Sequence, residues 1–220
     1  ADQPDYHRHY YGCITALDEQ VGRLRATLDR LGISGNTMLW YSADNGPEGN
    51  NKAPGTTKGL RGRKRSLYEG GIRVPGIVTW PAVVKAGQVT DCPGVTSDYL
   101  PTILDVLDFL PPRKFPPDGV SLLPVLNGQR DWKRPRPILF ESAGQTAAID
   151  NRFKLVRRSG GGKKNKTAGK ATTELFDLLA DPHETANVAA DHPRVLKELS
   201  TKIQAWQASC RASAARNATR

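Results

Sequence analysis

The sequence predicts an α/β fold, with a sheet-and-helix domain over residues 1–134 and a small subdomain of antiparallel sheet and terminal helix over 135–220. Three observations carry this. A long run of three- and four-residue apolar steps leads through a short loop into an apolar, aromatic run that stops at Asp44-Asn45-Gly46-Pro47. A second helical period falls at 99–107. Beyond Trp132 the character changes to short apolar runs parted by turn and glycine segments, before a last helical period closes the chain.

Taken in order, Tyr10, Tyr11, Ile14, Leu17, Val21, Leu24, Leu28 and Leu31 mark an amphipathic helix over 5–31, stopped by Gly32. Ile33-Ser34-Gly35-Asn36 then feeds a strand over 37–42, the helix, loop, strand order of an α/β sheet. Residues 46–65 are rich in Gly, Asn, Pro, Lys and Arg and read as a long loop over the strand end. A strand follows at 74–80, and Gly87-Gln88-Val89 begins a further short extended piece. Ser97 and Asp98 are expected to cap a helix over 99–107 whose apolar residues Leu100, Ile103, Leu104 and Leu107 share a face, with Pro101 in the first turn. The Pro111-Pro112 and Pro116-Pro117 pairs make an extended connection to a turn of helix at 121–126. Short strands are expected at 138–141, 147–149, 153–157 and 174–177. Val195, Leu199, Ile203 and Trp206 line the terminal helix, and the small, basic residues 208–220 are expected to fray.

In open α/β sheets the ligand crevice lies beyond the carboxyl ends of the strands, so Asp44 and Asn45 would offer hard oxygen ligands to a divalent metal there. Such residues also form ordinary turns, in which short polar side chains bond their own backbone. The following segment, Leu60-Arg61-Gly62-Arg63-Lys64-Arg65-Ser66-Leu67-Tyr68-Glu69-Gly70-Gly71-Ile72-Arg73-Val74-Pro75, crowds cations onto a glycine-bearing loop.

Together these stretches resemble the sulfatase family of the alkaline-phosphatase superfamily, which carries Ser-x-Asp-Asn-Gly at a strand end and then Lys-x-x-x-Tyr-Glu-Gly-Gly-x-Arg-x-Pro. The likeness continues through Tyr10-Tyr11, Leu17-Asp18, Val21-Gly22, Ser97-Asp98, Pro101-Thr102, Asp118-Gly119, Ser121-Leu122 and Leu175-Phe176-Asp177-Leu178. It implies the C-terminal part of such an enzyme. The family's Cys/Ser-x-Pro-x-Arg segment, which bears the formylglycine nucleophile, and its N-terminal Asp-Asp pair are not among these residues, and the contexts of Cys13, Cys92 and Cys210 do not fit it.

The resemblance implies a calcium-dependent sulfuric ester hydrolase acting on a sulfated small molecule or sulfated glycan, with magnesium the lesser alternative. Asp44 and Asn45 would complete the metal shell. Lys64, twenty residues after Asp44 and four before Tyr68, matches the sulfate-contacting lysine, with Lys58 as its rival. Arg65 stands where the family commonly has glycine. Glu69 and Arg73 read as a structural pair holding the loop, and the Asp181-Pro182-His183-Glu184 turn as structural too. The chain would partner the N-terminal half of the same enzyme, and a periplasmic or secreted location follows from the resemblance alone.

Lys and Arg outnumber Asp and Glu by 32 to 22, a net charge of +10. Residues 130–170 hold twelve of those cations against three acids, which suits polyanions but also a solvated loop, since Ser159-Gly160-Gly161-Gly162-Lys163-Lys164-Asn165-Lys166 is too poor in apolar residues to pack. No specific nucleic-acid signature accompanies the charge. No run of about 18 apolar residues is present to span a membrane. Three widely spaced cysteines support neither a disulfide framework nor a zinc motif. The competing function classes are a phosphodiesterase or phosphatase of the same superfamily, which would differ in nucleophile, and a non-enzymatic polyanion-binding protein.

Overall fold

The computed structural model describes residues 5–50, 52–110, 116–160 and 171–218, with side chains as far as Ala215. The element order is α1 (Asp5–Arg30), β1 (Leu39–Ser42), α2 (Glu69–Ile72), β2 (Gly76–Thr79), α3 (Tyr99–Val106), α4 (Leu123–Leu126), β3 (Ile138–Ser142), β4 (Gln145–Ile149), β5 (Phe153–Arg158), β6 (Thr172–Asp177) and α5 (Pro193–Ala218). Among the described residues, β1 and β2 pair antiparallel as a two-stranded ribbon, and β3 to β6 form an antiparallel meander. This is the expected α/β character followed by a small antiparallel sheet and helix.

The meander is buried on both faces because consecutive side chains of a strand point to opposite sides. Ala148, Phe153, Leu155 and Leu175 face α5, whose Leu199 and Ile203 are buried against them. On the other face, Ala147, Val156 and Phe176 meet Leu67 and Tyr68, which arrive from the segment just before α2. The small sheet therefore uses the loop of the first region as its second cover.

A buried ion pair makes a further tie. Arg134, just before the meander, donates from both terminal nitrogens to Asp98 at 2.7 and 2.8 Å. The two side chains are 2% and 0% exposed, so each charge depends on the other. Asn151 grips the Arg134 backbone from both sides, accepting from its N–H at 2.7 Å and donating to its carbonyl at 3.0 Å.

Several local expectations are corrected. Asp98 makes no side-chain cap on α3. Its carboxylate instead accepts from the backbone N–H groups of Val95 and Val120 as well as from Arg134, and the buried cation outcompetes a surface capping role. The buried residues of α3 are Pro101 and Thr102, while Leu100, Ile103 and Leu107 on its apolar face are exposed. Residues 87–89 form no strand: Gly87 takes a left-handed turn and Val89 is exposed. The terminal helix does not stop near residue 208 but runs to Ala218, as its alanine-rich sequence has high helix propensity without needing an apolar stripe. The Pro111-Pro112 pair and most of the glycine- and lysine-rich segment lie outside the described residues.

Candidate functional site

The candidate site is the turn that follows β1, built on close approach of backbone to backbone. Gly46 donates its N–H to the Gly71 carbonyl at 2.8 Å, and a Cβ at Gly46 would fall 1.9 Å from the Gly70 carbonyl oxygen. Gly70 in turn donates to the Arg61 carbonyl at 2.7 Å, and a Cβ at Gly71 would lie 2.0 Å from the Ser66 carbonyl oxygen. Three glycines thus let the β1 exit turn, the loop of residues 61–66 and the short helix α2 interlock without side chains between them.

Asp44 is exposed and Asn45 half-buried. Both carry the turn chemistry that the sequence also allowed: Asp44 Oδ1 accepts from the Asn45 N–H at 2.9 Å, and Asn45 Nδ2 donates to the Gly46 carbonyl at 3.0 Å. That arrangement leaves Asp44 Oδ2 and Asn45 Oδ1 as unused oxygen acceptors in these pairings. They fit a hard cation chemically, but two oxygens are a fraction of the six to eight that calcium takes. No cluster of three or more His, Cys, Asp or Glu side chains suited to a metal occurs among the described residues.

Lys64 is brought to the same turn. Its N–H donates to the Pro47 carbonyl at 3.1 Å, and its Nζ lies 3.5 Å from Glu48 Oε2. Arg65 contacts the other oxygen of the same carboxylate. The Arg65 guanidinium first, and Lys64 among the lesser contributors, hold the Glu48 carboxyl below its usual range. Arg65 has φ +74°, the left-handed backbone that glycine would adopt more readily, and it adds a cation at the turn.

The rival Lys58 is exposed on the loop, and the glycine after it faces the His183 ring, with 3.4 Å left for a Cβ. Arg63 braces the intervening loop, donating to the carbonyls of Glu48 at 3.0 Å and of Pro54 and Gly55 at 3.4 Å each. The backbone pairings join Lys64, not Lys58, to the strand-end turn.

Glu69 and Arg73 do form an ion pair, at 3.5 Å, but it is the weaker half of a larger arrangement. Lys154 Nζ from β5 lies 2.8 Å from Glu69 Oε1 and 2.8 Å from Glu184 Oε1, with the lysine side chain fully buried. The Glu184 contact is close but poorly aligned for a hydrogen bond. Glu184 Oε2 accepts from the Glu69 N–H at 2.7 Å. Desolvation pushes the Glu184 carboxyl up despite the lysine, with the Glu69 charge the least of the contributors.

Beside it, Arg61 lies 3.9 Å over the Tyr68 ring and donates to Glu174 at 3.0 Å, and Tyr68 gives its hydroxyl hydrogen to the other Glu174 oxygen. Sequence patterning does not single out Glu48, Lys154 or Glu174. Lys154 does leave a signal, a single charge inside the apolar run Phe153-Lys154-Leu155-Val156.

The glycine-locked turn thus brings oxygen donors and clustered cations together at the end of β1. Residues 1–109 match the family model described as Sulfatase, and residues 62–209 match the one described as N-sulphoglucosamine sulphohydrolase, C-terminal. The chain belongs to the sulfatase family and carries the C-terminal portion of its alkaline-phosphatase-like fold.

Among its relatives, the N-acetylgalactosamine-6-O-sulfatase of Bacteroides thetaiotaomicron is 32% identical over 87% of this chain and 40% of its own length. Arylsulfatase A of Bos taurus is 34% identical over 85% of the chain and 36% of its own. A solved Bacteroides thetaiotaomicron structure described in terms of the metabolism of multiple glycosaminoglycans superposes with a TM-score of 0.71 at 28% identity, over 87% of this chain and 43% of that one. A structure described as a complex with its substrate D-glucosamine-2-N,6-O-disulfate gives 0.65 at 26%, over 88% and 38%. The chain spans 40% or less of the length of the curated relatives it matches.

Proposed function

We propose that this chain is the C-terminal part of a calcium-dependent sulfuric ester hydrolase in which Asp44 and Asn45 supply metal ligands and Lys64 holds a sulfate oxygen. The observation that carries this reading is the lock between the β1 exit turn and the Lys64 loop, through Gly46 to Gly71 and Lys64 to Pro47, which sets oxygen donors and a cation on one rigid turn. Glu48, gathered by both Lys64 and Arg65, supports an anion-holding role for this pair of cations. A sulfate ester would compete with Glu48 for the Lys64 ammonium.

A bound calcium would supply fixed positive charge against the sulfate oxygens, the lesser alternative being magnesium. Lys64 strengthens its hold as charge moves toward the leaving oxygen, which lowers the barrier rather than merely binding the substrate. The formylglycine nucleophile and the remaining metal ligands are assigned to the N-terminal half of the full-length enzyme. The uncovered apolar residues Tyr11, Ile14 and Leu17 of α1, Leu100 of α3 and Leu107 just beyond it support such a partner, since soluble surfaces seldom leave such faces bare.

Relatives named for N-acetylgalactosamine-6-O-sulfate, choline sulfate and aryl sulfate support a sulfated small molecule or glycan as the substrate class. In the full-length enzyme, Lys64→Ala should lower kcat/KM by about 10²–10³ with metal content kept, and Lys58→Ala by less than about tenfold. Asp44→Ala should remove the metal. Steady-state kinetics on one sulfate ester and elemental analysis check all three; a crippled Lys58→Ala beside a near-normal Lys64→Ala would move the anion site six residues earlier.

A further inference from the structure

We infer that Lys154, buried in the small sheet and far from the candidate ligands in sequence, is a positioning residue for the site: through Glu69 it fixes where the β1 exit turn and the Lys64 loop stand relative to each other. The inference rests on the sulfatase reading for its kinetic consequence, but its structural content stands on the contacts alone.

Glu69 is the first residue of α2, and it is held twice: its carboxylate by Lys154 Nζ at 2.8 Å, and its N–H by Glu184 Oε2 at 2.7 Å. The next two residues are the glycines against which the site is built. Gly70 N–H bonds Arg61, at the start of the cationic loop, and the Gly71 carbonyl receives Gly46 N–H, one residue beyond Asn45. The path from Lys154 to Asn45 is therefore Glu69, Gly71, Gly46, and that from Lys154 to the Lys64 loop is Glu69, Gly70, Arg61.

No soft side chain intervenes at the interlock, where a Cβ on Gly46 would lie within 1.9 Å of the Gly70 oxygen. A shift of α2 is passed on to the turn rather than absorbed. Because α2 has only four residues, its own helical bonds do little to define its place, and the buried charges at its first residue hold that end. An apolar anchor acts beside the charges: Leu67 and Tyr68 pack on the sheet before α2 and Ile72, its last residue, packs against the same cluster, while Lys154 and Glu184 hold its first residue.

Stability alone is a weak reason for such a group, since a buried lysine shared by two carboxylates is often no better than apolar packing. Its location gives the stronger reason. Misplacement of reacting groups by about 1 Å can cost about 100-fold in rate.

The test uses the full-length enzyme and two variants, Lys154→Met and the charge-balanced Lys154→Met/Glu184→Gln. In the double variant the introduced amide can still accept from the Glu69 N–H, and Arg73 still faces Glu69. The second variant decides if the first fails to fold. Turnover of a sulfate ester is measured at saturating calcium, together with amide hydrogen exchange. Expected are a kcat lowered about 10- to 100-fold, a KM within about threefold of wild type, and faster exchange at the Gly46, Gly70 and Gly71 amides while Leu155 and Leu175 in the sheet stay protected. A folded double variant with unchanged exchange at the three glycines and unchanged kcat would overturn the inference. Should wild-type enzyme fail on every sulfate ester, the sulfatase reading falls, and the glycine exchange still decides whether Lys154 positions the turn.

Discussion

In the meander of β3 to β6, side chains of both parities are buried, with Leu155 and Leu175 against α5 and Val156 and Phe176 against Leu67 and Tyr68. In α1, a helix of 26 residues with an equally regular apolar period, none is buried. The two regions obey the same patterning rule and differ in whether the partner face is present among the described residues. An apolar stripe therefore reports that a face is meant to be covered, and not which part of the protein covers it. The contrast also explains why the site is half legible: the cation loop is clamped from behind by the closed region, while Asp44 looks out of the open one.

Breaking the tie between the start of α3 and the segment that leads into the meander should have the largest effect. Arg134→Ala leaves the Asp98 carboxylate buried without its cation, and removal of one partner of a buried pair costs about 3–5 kcal/mol. Urea unfolding of the chain should show that loss, and Asp98→Asn combined with Arg134→Met should recover most of it. A loss below about 1 kcal/mol for Arg134→Ala would mean that the two segments are not joined through this pair.

That pair also shows where the sequence is and is not readable. The helix over 5–31 is visible through its period and the four strands of the meander as short apolar runs parted by turn segments, and each strand extends beyond the expected run at one end. Asp44 and Asn45 are candidates through the strand end and the family pattern, and Lys64 is a candidate through its register to that pattern. Asp98 reads as a cap because a carboxylate before a helix looks the same whether it faces water or a buried arginine 36 residues away. Glu184 reads only as part of a structural turn and Lys154 only as a lone charge in an apolar run, and their pairing is hidden for the same reason, since long-range ion pairs leave no local period. Arg65 is a middle case: a missing glycine stands out in the sequence, but only the backbone reveals that arginine adopts φ +74° there.

Two leucine truncations sharpen the comparison directly. Leu155→Ala opens a cavity in the closed region and should cost about 2–5 kcal/mol. Leu17→Ala, on the exposed face of α1, should change the stability of this chain by no more than about 0.5 kcal/mol. In the longer protein proposed above the Leu17 effect should rise toward that of a core leucine. Equal and small effects of Leu17→Ala in both contexts would show that the α1 face is not covered.

The smallest effect tests the rim of the closed region by pH. Asp177, the last residue of β6, accepts from Arg152 Nε at 2.9 Å and from the N–H groups of Leu179 and Ala180 at 3.2 and 3.4 Å. Hydrogen bonding to Arg152 is the leading cause of a carboxyl held below its ordinary value of 3.8, with the Ala180 N–H contributing after burial has opposed it. A depressed folded-state value means that the unfolded chain takes up protons first as the pH drops. The stability from this carboxylate is therefore fully present above the ordinary aspartate range and is lost as the pH falls through the folded value. Arg152 is more than half exposed, so salt and solvent keep the effect modest. Asp177→Asn retains an oxygen for the two N–H groups but loses the charge. Its unfolding midpoint should lie slightly below that of wild type at about pH 7 and converge with it as the pH falls through the folded-state value. A difference that persists unchanged at the acid end would assign the contribution of Asp177 to its backbone hydrogen bonds instead of its charge.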